Sequence, residues 1–407
     1  VAFPTITERP GSLSATGIAK EATFGTPAVS SAYLPMSANT MDEDPGWFSP
    51  TLMQGLRDKQ IYNLQGEAKF AGAVTGPIFP SNAMELLVAS IGQDAAPGYG
   101  VTGSTPTSAT TLASGITANT NNISLASASG YAVGSIIQVD VNAPGTPTTT
   151  ECRKIATLVG TAGTVDSNWT YNHANGVAVN VVVAPFTHTI NQANSLPSLT
   201  VEKIIGGYQS LQFAGCRVNK FDLKAPVGNT AVEISADMMG RSVAVLDSPT
   251  SPSVANELPY VFTEAALTVF GGTRNDVTNT TVSIDNAVKE TYTYSGQHGP
   301  SFLTPVSLHT SGAIDLVWSS LDDSTYGDFS RMANQTLGAY SFTLAHPTNG
   351  GSITINQPQV VLSKFGSDVK FDDVVMSTLT YEASRALTGG SQYTINAVVL
   401  NNVYLAY

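Results

Sequence analysis

The sequence predicts a mainly β chain of two tandem units, each with one short flanking α-helix, and a small β-domain inserted into the first. Three observations lead there. Alternating or β-branched runs recur along the whole chain, helix signals are confined to two short stretches, and one order of strand, long loop, strand, helix and further strands occurs twice.

The runs "IYNLQGEAKFAG", "SLQFAGCRVNKFDLKAP", "TAVEISADMM", "GAIDLVW", "QVVLSKF", "VVMSTLTYEA" and "QYTINAVVL" are punctuated by Gly, Asn, Pro or Asp, which marks half-buried strands between turns. The stronger helix signal is "SNAMELLVASIGQD", with Asn82 as N-cap, Glu85 closing a capping box and Gly92 as the stop. Its Met84, Leu87, Val88 and Ile91 fall on one face, so an amphipathic helix of about three turns lying on a sheet is expected. The second is "YGDFSRMANQTLG", with Phe329, Met332 and Ala333 on one face and Gly338 as the stop.

Around the first helix, "YLPMSANT", a long loop and "IYNLQGEAKFAG" match "TVSIDNAV", another long loop and "VSLHTSGAIDLVW" around the second. After each helix a Phe-Thr segment leads to a "TVEK" or "VLSK" strand and two alternating strands, the mark of an internal repeat. Between the first helix and its Phe-Thr segment lie about ninety Gly-, Ser-, Thr- and Pro-rich residues with the short strands "NNISLASASGYAVGSIIQVDVN", "ECRKIATLVG" and "GVAVNVVV". The expected organisation is an extended N-terminal arm, 1–32; a first unit, 33–94 and 186–250; an insert, 95–185; and a second unit, 251–407.

Charged residues make up 12% of the chain, against about 25% in ordinary soluble domains. That suits a surface given over to contacts with other subunits. The net charge of −12 repels a phosphate backbone and argues against nucleic-acid binding. Cys152 and Cys216 have no metal or redox spacing, and free thiols are favoured over a disulfide. No leader pattern is present and no apolar run approaches roughly 18 residues, so no membrane association is expected.

The candidate chemistry is thin. "GYGVTG" at 98–103 matches a dinucleotide fingerprint but follows a helix and precedes Ser-Thr-Pro-Thr, so it lacks the helix N-terminus that would hold a pyrophosphate. His173, His188, His298, His309 and His346 are isolated. The pairs and triplets Asp42-Glu43-Asp44, Asp322-Asp323 and Asp372-Asp373 read as turns and surface charge, without the Gly-centred loop and distal Glu of a calcium site. No catalytic residue, cofactor or metal is expected, and the chain is not read as an enzyme.

The informative stretch is "MDEDPGWFSPTLMQGLRDK", where Asp42, Glu43 and Asp44 precede Trp47, Phe48, Leu52, Met53 and Leu56. Its counterpart "NAVKETYTYSGQHGPSFLTP" carries Tyr292, Tyr294, Phe302 and Leu303. Exposing such side chains forgoes about 1.5–3 kcal/mol each. Either both loops fold back on their own units or they bury these residues against another subunit, and the second reading is favoured. The arm, "GIAKEATFGTPAVSSAYLP" included, is too small and polar to form a core. It is expected to order only on a neighbour, with Phe24 and Tyr33 as anchors.

Taken together, "TGIAKEATFGTPAVSSAYLPM", the acidic aromatic loop, the helix before the insert and "FTHTINQ…LPSLTVEK…FAGCRVNKFDLKAPVG" resemble the tail tube proteins, or major tail proteins, of long-tailed bacteriophages. The resemblance implies β-sandwich units assembled into stacked rings, a hollow tube through which DNA is ejected, and an arm and a long hairpin-like loop reaching between rings. Partners would be the chain itself and other tail proteins, such as the tape measure and the tail ends, with DNA passing unbound through an acidic lumen. The location would be the virion tail, assembled in the host bacterial cytoplasm. Two units per chain predict a trimeric, pseudo-sixfold ring, with a plain hexamer as the alternative, and an insert that faces outward. A β-rich adhesive or carbohydrate-binding surface protein and a tail-tip or shell protein are the competing readings.

Overall fold

Antiparallel strand pairing dominates the computed structural model, which describes residues 11–51, 62–80, 84–94, 101–140, 150–247, 252–253, 257–318, 327–347, 351–368, 374–386 and 392–406. The chain divides into two compact units. One lies within Val1–Ser90, Ser195–Pro259 and Asn279–Ala313, the other within Ile91–Asn194, Tyr260–Thr278 and Ile314–Tyr407.

The first unit is organised by an 18-residue strand, Gln209–Pro226. Its first part runs between Leu199–Ile205 and Ser242–Leu246, and its second between Glu233–Gly240 and residues 279–285. Leu199–Ile205 continues to Ala15–Lys20 and then Ala32–Leu34. Glu233–Gly240 continues to Lys69–Pro77, whose far side takes Ala38–Asn39 and Asp42–Asp44. One strand thus belongs to two sheets. The corner falls where the register slips between the pairs Leu199–Cys216 and Val201–Phe213, with Gly215 at φ +68°, a conformation glycine adopts without a Cβ clash. A second slip between Val218 and Lys220 inserts one residue. The inward set therefore moves from Val218 to Phe221 and Leu223, all fully buried.

The arm differs from expectation. Residues 15–34 are strands of the chain's own sheet, and Tyr33 is buried. Main-chain pairing orders them, together with Glu21, whose buried carboxylate accepts hydrogen bonds from Gly25 N–H, Thr200 Oγ1 and Gly215 N–H at 2.8–2.9 Å. Small side chains are what such a strand requires: a Cβ on Gly17 would lie 2.4 Å from Ser30 Oγ.

The helix α1, Met84–Ile91, is not amphipathic over its described residues. Leu86 and Ala89 are as deeply buried as Met84, Leu87, Val88 and Ile91, so the helix is a core element. Glu85 and Ser90 are its polar residues, Ser90 buried with its hydroxyl on the Leu87 carbonyl, and the expected N-cap Asn82 lies outside the described residues.

In the second unit a 17-residue strand, Ser352–Asp368, has the corresponding place. Its first part runs between Gly338–Ala345 and Asn396–Asn401, and its second pairs with Met376–Ala383, which is joined to His309–Val317. Gly338–Ala345 continues to Ala265–Val269 and Gly272–Arg274. Register slips between the pairs Gly338–Val360 and Tyr340–Gln357, and again between Leu362 and Lys364. The "VLSK" segment therefore sits on this long strand, whereas "TVEK" sits on Leu199–Ile205, a neighbour of the other long strand. Similar residue patterns do not reveal which strands stand side by side. The helix α2, Asp328–Ala333, also departs from expectation: Phe329 is 42% exposed, whereas Asp328 is buried on Arg274 at 2.8 Å.

Residues 101–183 have a core of their own around Trp169, Ile137, Ile155, Val165 and Val179. Beneath it Glu151 accepts from Arg153 at 2.5 Å, from the Thr170 and Tyr171 amides and from His173. The 15-residue strand Ala178–Gln192 leaves this core to pair with Asn396–Asn401 and Gly92–Asp94. There the buried His188 bonds Asp94 at 2.8 Å and the Val403 carbonyl at 2.7 Å.

Burial pushes the Glu85 carboxyl up to about 8, against a weaker opposing hydrogen bond from Ser31, and its Oε2 has no hydrogen-bond partner among the described residues. A folded-state value above the unfolded 4.5 means that the native state holds the extra proton between these limits. Stability should therefore fall as pH rises from about 4.5 to about 8. Glu85→Gln should raise the melting temperature at pH 8.5 and change it little at pH 4.5. Equal shifts at both pH values in a thermal melt would refute this account.

Candidate functional site

Two hairpins leave the first unit side by side. In the first, Trp47–Phe48 pairs with Leu64–Gln65, directly after Asp42–Asp44 and before Lys69–Pro77. In the second, Val288–Thr291 pairs with Phe302–Pro305. Both open on the same turn. Asp44 Oδ1 accepts from Gly46 N–H at 3.1 Å and Asp285 Oδ1 from Ala287 N–H at 2.8 Å. Gly46 and Ala287 both take left-handed backbone, φ +58° and +44°, and the hairpin begins at the next residue. Asp at the head of such a turn satisfies the amide two residues on, whereas an alanine at positive φ is sterically costly and is held by its surroundings.

The hairpins are tied at their bases. Ala68 N–H donates to His298 O at 2.8 Å, His298 Nδ1 lies 3.1 Å from Gly66 O, and Tyr292 Oη donates to Ala68 O at 3.2 Å. Phe24 joins them from the N-terminal segment, with the guanidinium groups of Arg217 and Arg241 over its ring at 5.1 and 5.7 Å. Those arginines in turn reach the second hairpin, Arg217 Nη1 at Leu303 O and Arg241 Nη2 at Gln297 Oε1. The three sequence-derived groups, Asp42 to Phe48, Tyr292 to Leu303 and Phe24, therefore meet in one region.

Within it the individual residues divide. Trp47 and Phe48 are 62% and 52% exposed, Tyr294 is fully exposed and Phe302 is 58% exposed. Asp42, Glu43 and Asp44 are exposed along a short strand, and the last of them heads the turn into the hairpin. Leu303 is 1% exposed: alternation on its strand turns it inward, so it belongs to the core and cannot serve a neighbour. Tyr292 is half-buried and holds the two hairpins together. Tyr33 anchors the arm to its own sheet, and Phe24 is clamped within the chain. Leu52, Met53 and Leu56 lie outside the described residues. Sequence reasoning missed Arg217, Arg241 and His298, because nothing in their local sequence signals partners so distant along the chain. It also missed Tyr62 and Leu64, exposed on the returning side of the first hairpin.

Among the described residues no cluster of three or more His, Cys, Asp or Glu side chains could hold a metal ion, and no helix is long and apolar enough to cross a membrane. Cys152 and Cys216 are buried free thiols, and burial pushes that of Cys152 up to about 12.

The site is thus a pair of hairpins carried on long antiparallel strands, with large apolar residues exposed on them. The chain belongs to the phage tail tube protein family, which matches residues 11–383. Comparison with curated proteins gives no match. The chain is accordingly a structural component of a phage tail, self-associating and in contact with other tail proteins.

Phe24→Ala should lower stability by about 1–2 kcal/mol, through lost burial and two lost cation–π contacts, and should speed hydrogen exchange at Gly25. Tyr294→Ser, at a fully exposed site, should stay within about 0.5 kcal/mol of wild type. Denaturant melts with amide exchange check both; a Phe24→Ala variant as stable as wild type would contradict the clamp.

Proposed function

We propose that this chain forms the rings of a hollow tail tube, three copies to a ring, and that each chain supplies two equivalent tube units. The observation that carries the reading is that the same local devices recur at matching places in the strand order. Two long strands each carry two register slips, at Gly215 and Asn219 in one and at Gln359 and Ser363 in the other. Two short helices each follow a nine-residue strand, Lys69–Pro77 or His309–Val317. Two hairpins, both within the first compact unit but one from each half of the repeated order, begin after an Asp-headed turn. Such coincidence of bulges and turns is what a duplicated unit retains when its side chains have diverged.

A ring requires a heterologous interface that repeats until it closes. With two units per chain, three chains give six units. The hairpins, with Trp47, Phe48, Tyr294 and Phe302 exposed, serve stacking of one ring on the next. The insert, with its own core, projects outward, where it leaves stacking unobstructed. The acidic balance keeps DNA from adhering to the lumen. The chain carries no catalytic role in this reading.

Electron microscopy of the purified protein at rising concentration, with rotational averaging of end-on views, tests it. Hollow filaments with three outer knobs per ring are expected. Six identical knobs would make the chain a single tube unit in a hexamer, and solid or closed particles would remove the tube.

A further inference from the structure

Two strand edges, one in each unit, are unpaired among the described residues and opposite in charge, and the first unit contains a closed example of the same junction. There residues 279–285 cover residues 220–226 of the long strand, with Asp285 opposite Lys220. Past the Asp285 turn, Asn286 Nδ2 donates to the carbonyls of Ser90, near the end of α1, and of Val218, at 3.1 Å each. Val288 N–H donates to Asn219 Oδ1 at 2.8 Å, and the Val288 side chain is buried.

At the corresponding place in the second unit no strand is seated among the described residues. Val361–Asp368 pairs within Met376–Ala383 on one side and, among the described residues, with no strand on the other. Beside it opens a groove of about 730 Å³, lined by Met332, Gln335 and Leu337 from the end of α2 and by Val361, Leu362 and Ser363. The other open edge is Asp42–Asp44, which pairs with Lys69–Pro77 and, among the described residues, with nothing on its outer side. In turn and hairpin, Asp44, Gly46 and Trp47 hold the places of Asp285, Ala287 and Val288: Trp47–Gln65 and Val288–Pro305 are the first pairs of the two hairpins.

We infer that these two open edges join one copy of the chain to the next: Asp42–Asp44 of one copy adds to Lys364–Gly366 of another, and its Trp47 enters the groove beside α2. The occupant is a second copy of this chain because the edge that fits is the chain's own. Asp44 comes to stand opposite the exposed Lys364 as Asp285 stands opposite Lys220, and the acidic triplet meets a cation instead of a like charge. Ser363 stands at the slip where the first unit has Asn219, with its hydroxyl donating to the Thr380 carbonyl on the paired side. Strand addition satisfies main-chain groups that an open edge leaves to water, and a central tryptophan in an apolar groove is the usual anchor of such a contact. This inference rests on the ring reading above, since a chain with one edge of each kind closes only by repetition.

The test is a full-length Asp44→Cys/Lys364→Cys variant, assembled and then oxidised; Cys152 and Cys216 are buried and do not compete. Non-reducing gels should give covalent dimers and trimers, with the ladder ending at three. Tubes visible by microscopy whose chains all run as monomers would overturn the edge pairing while leaving the tube intact. Wild-type protein that forms no tubes would instead sink the ring reading. If the cysteine variant does not assemble, charge exchange decides: Asp44→Lys and Lys364→Asp should each block assembly, and the double exchange should restore it. A double variant that folds but stays monomeric counts against the pairing. Trp47→Ala should leave the melting temperature unchanged and raise the concentration needed for assembly about tenfold or more. Assembly at the wild-type concentration would exclude Trp47 from the groove.

Discussion

An antiparallel strand has two rows of main-chain donors and acceptors, and each row must meet another strand, a side chain or water. Much of this molecule follows from how that requirement is met on its two long strands. Gln209–Pro226 is paired along both edges for nearly its whole length, which draws Leu199–Ile205, Ser242–Leu246, Glu233–Gly240 and residues 279–285 around it. Ser352–Asp368 is paired on both edges only in its first part. The difference between the two strands is the difference between a finished junction and one that a second copy can finish.

The register slips give this constraint its geometry. Because side chains alternate with period two, one inserted residue exchanges inward for outward positions. At Asn219 the slip turns Phe221 and Leu223 into the core after Val218, and it frees the Asn219 side chain to accept the Val288 amide. The same slip at Ser363 leaves Ser363 and Lys364 exposed at an unpaired edge. A local irregularity that looks like a defect in one strand is what shapes a seat for the neighbouring segment.

The hairpins show a division of labour between burial and exposure within single loops. Leu303 and Val288 hold the second hairpin to the core, Tyr292 and His298 tie it to the first, and Tyr294 and Phe302 stand in solvent. Phe24, between two arginines, fixes the N-terminal segment to the same base. A rigid base with exposed apolar tips suits a family of self-assembling tail proteins, since little conformational entropy is lost when the tips find a partner.

Sequence alone determined the mainly β class, the two short helices and the aromatic loops. Each of these is written in local periodicity, turn residues and composition, which act over a few residues. It also placed Trp47, Phe48, Tyr294 and Phe302 among the assembly candidates, because large apolar residues in a long polar connection stand out locally. It misjudged Leu303, the exposed face of α2 and the arm, and it matched "TVEK" to "VLSK" across strands that occupy different places in their sheets. Those depend on which strands become neighbours, and pairing partners such as Ala15–Lys20 with Leu199–Ile205 are far apart in sequence. Only the tertiary structure brought Asp285 against Lys220 and left Asp44 and Lys364 each on an unpaired edge, because strand edges are settled by the whole sheet and by no single segment of it.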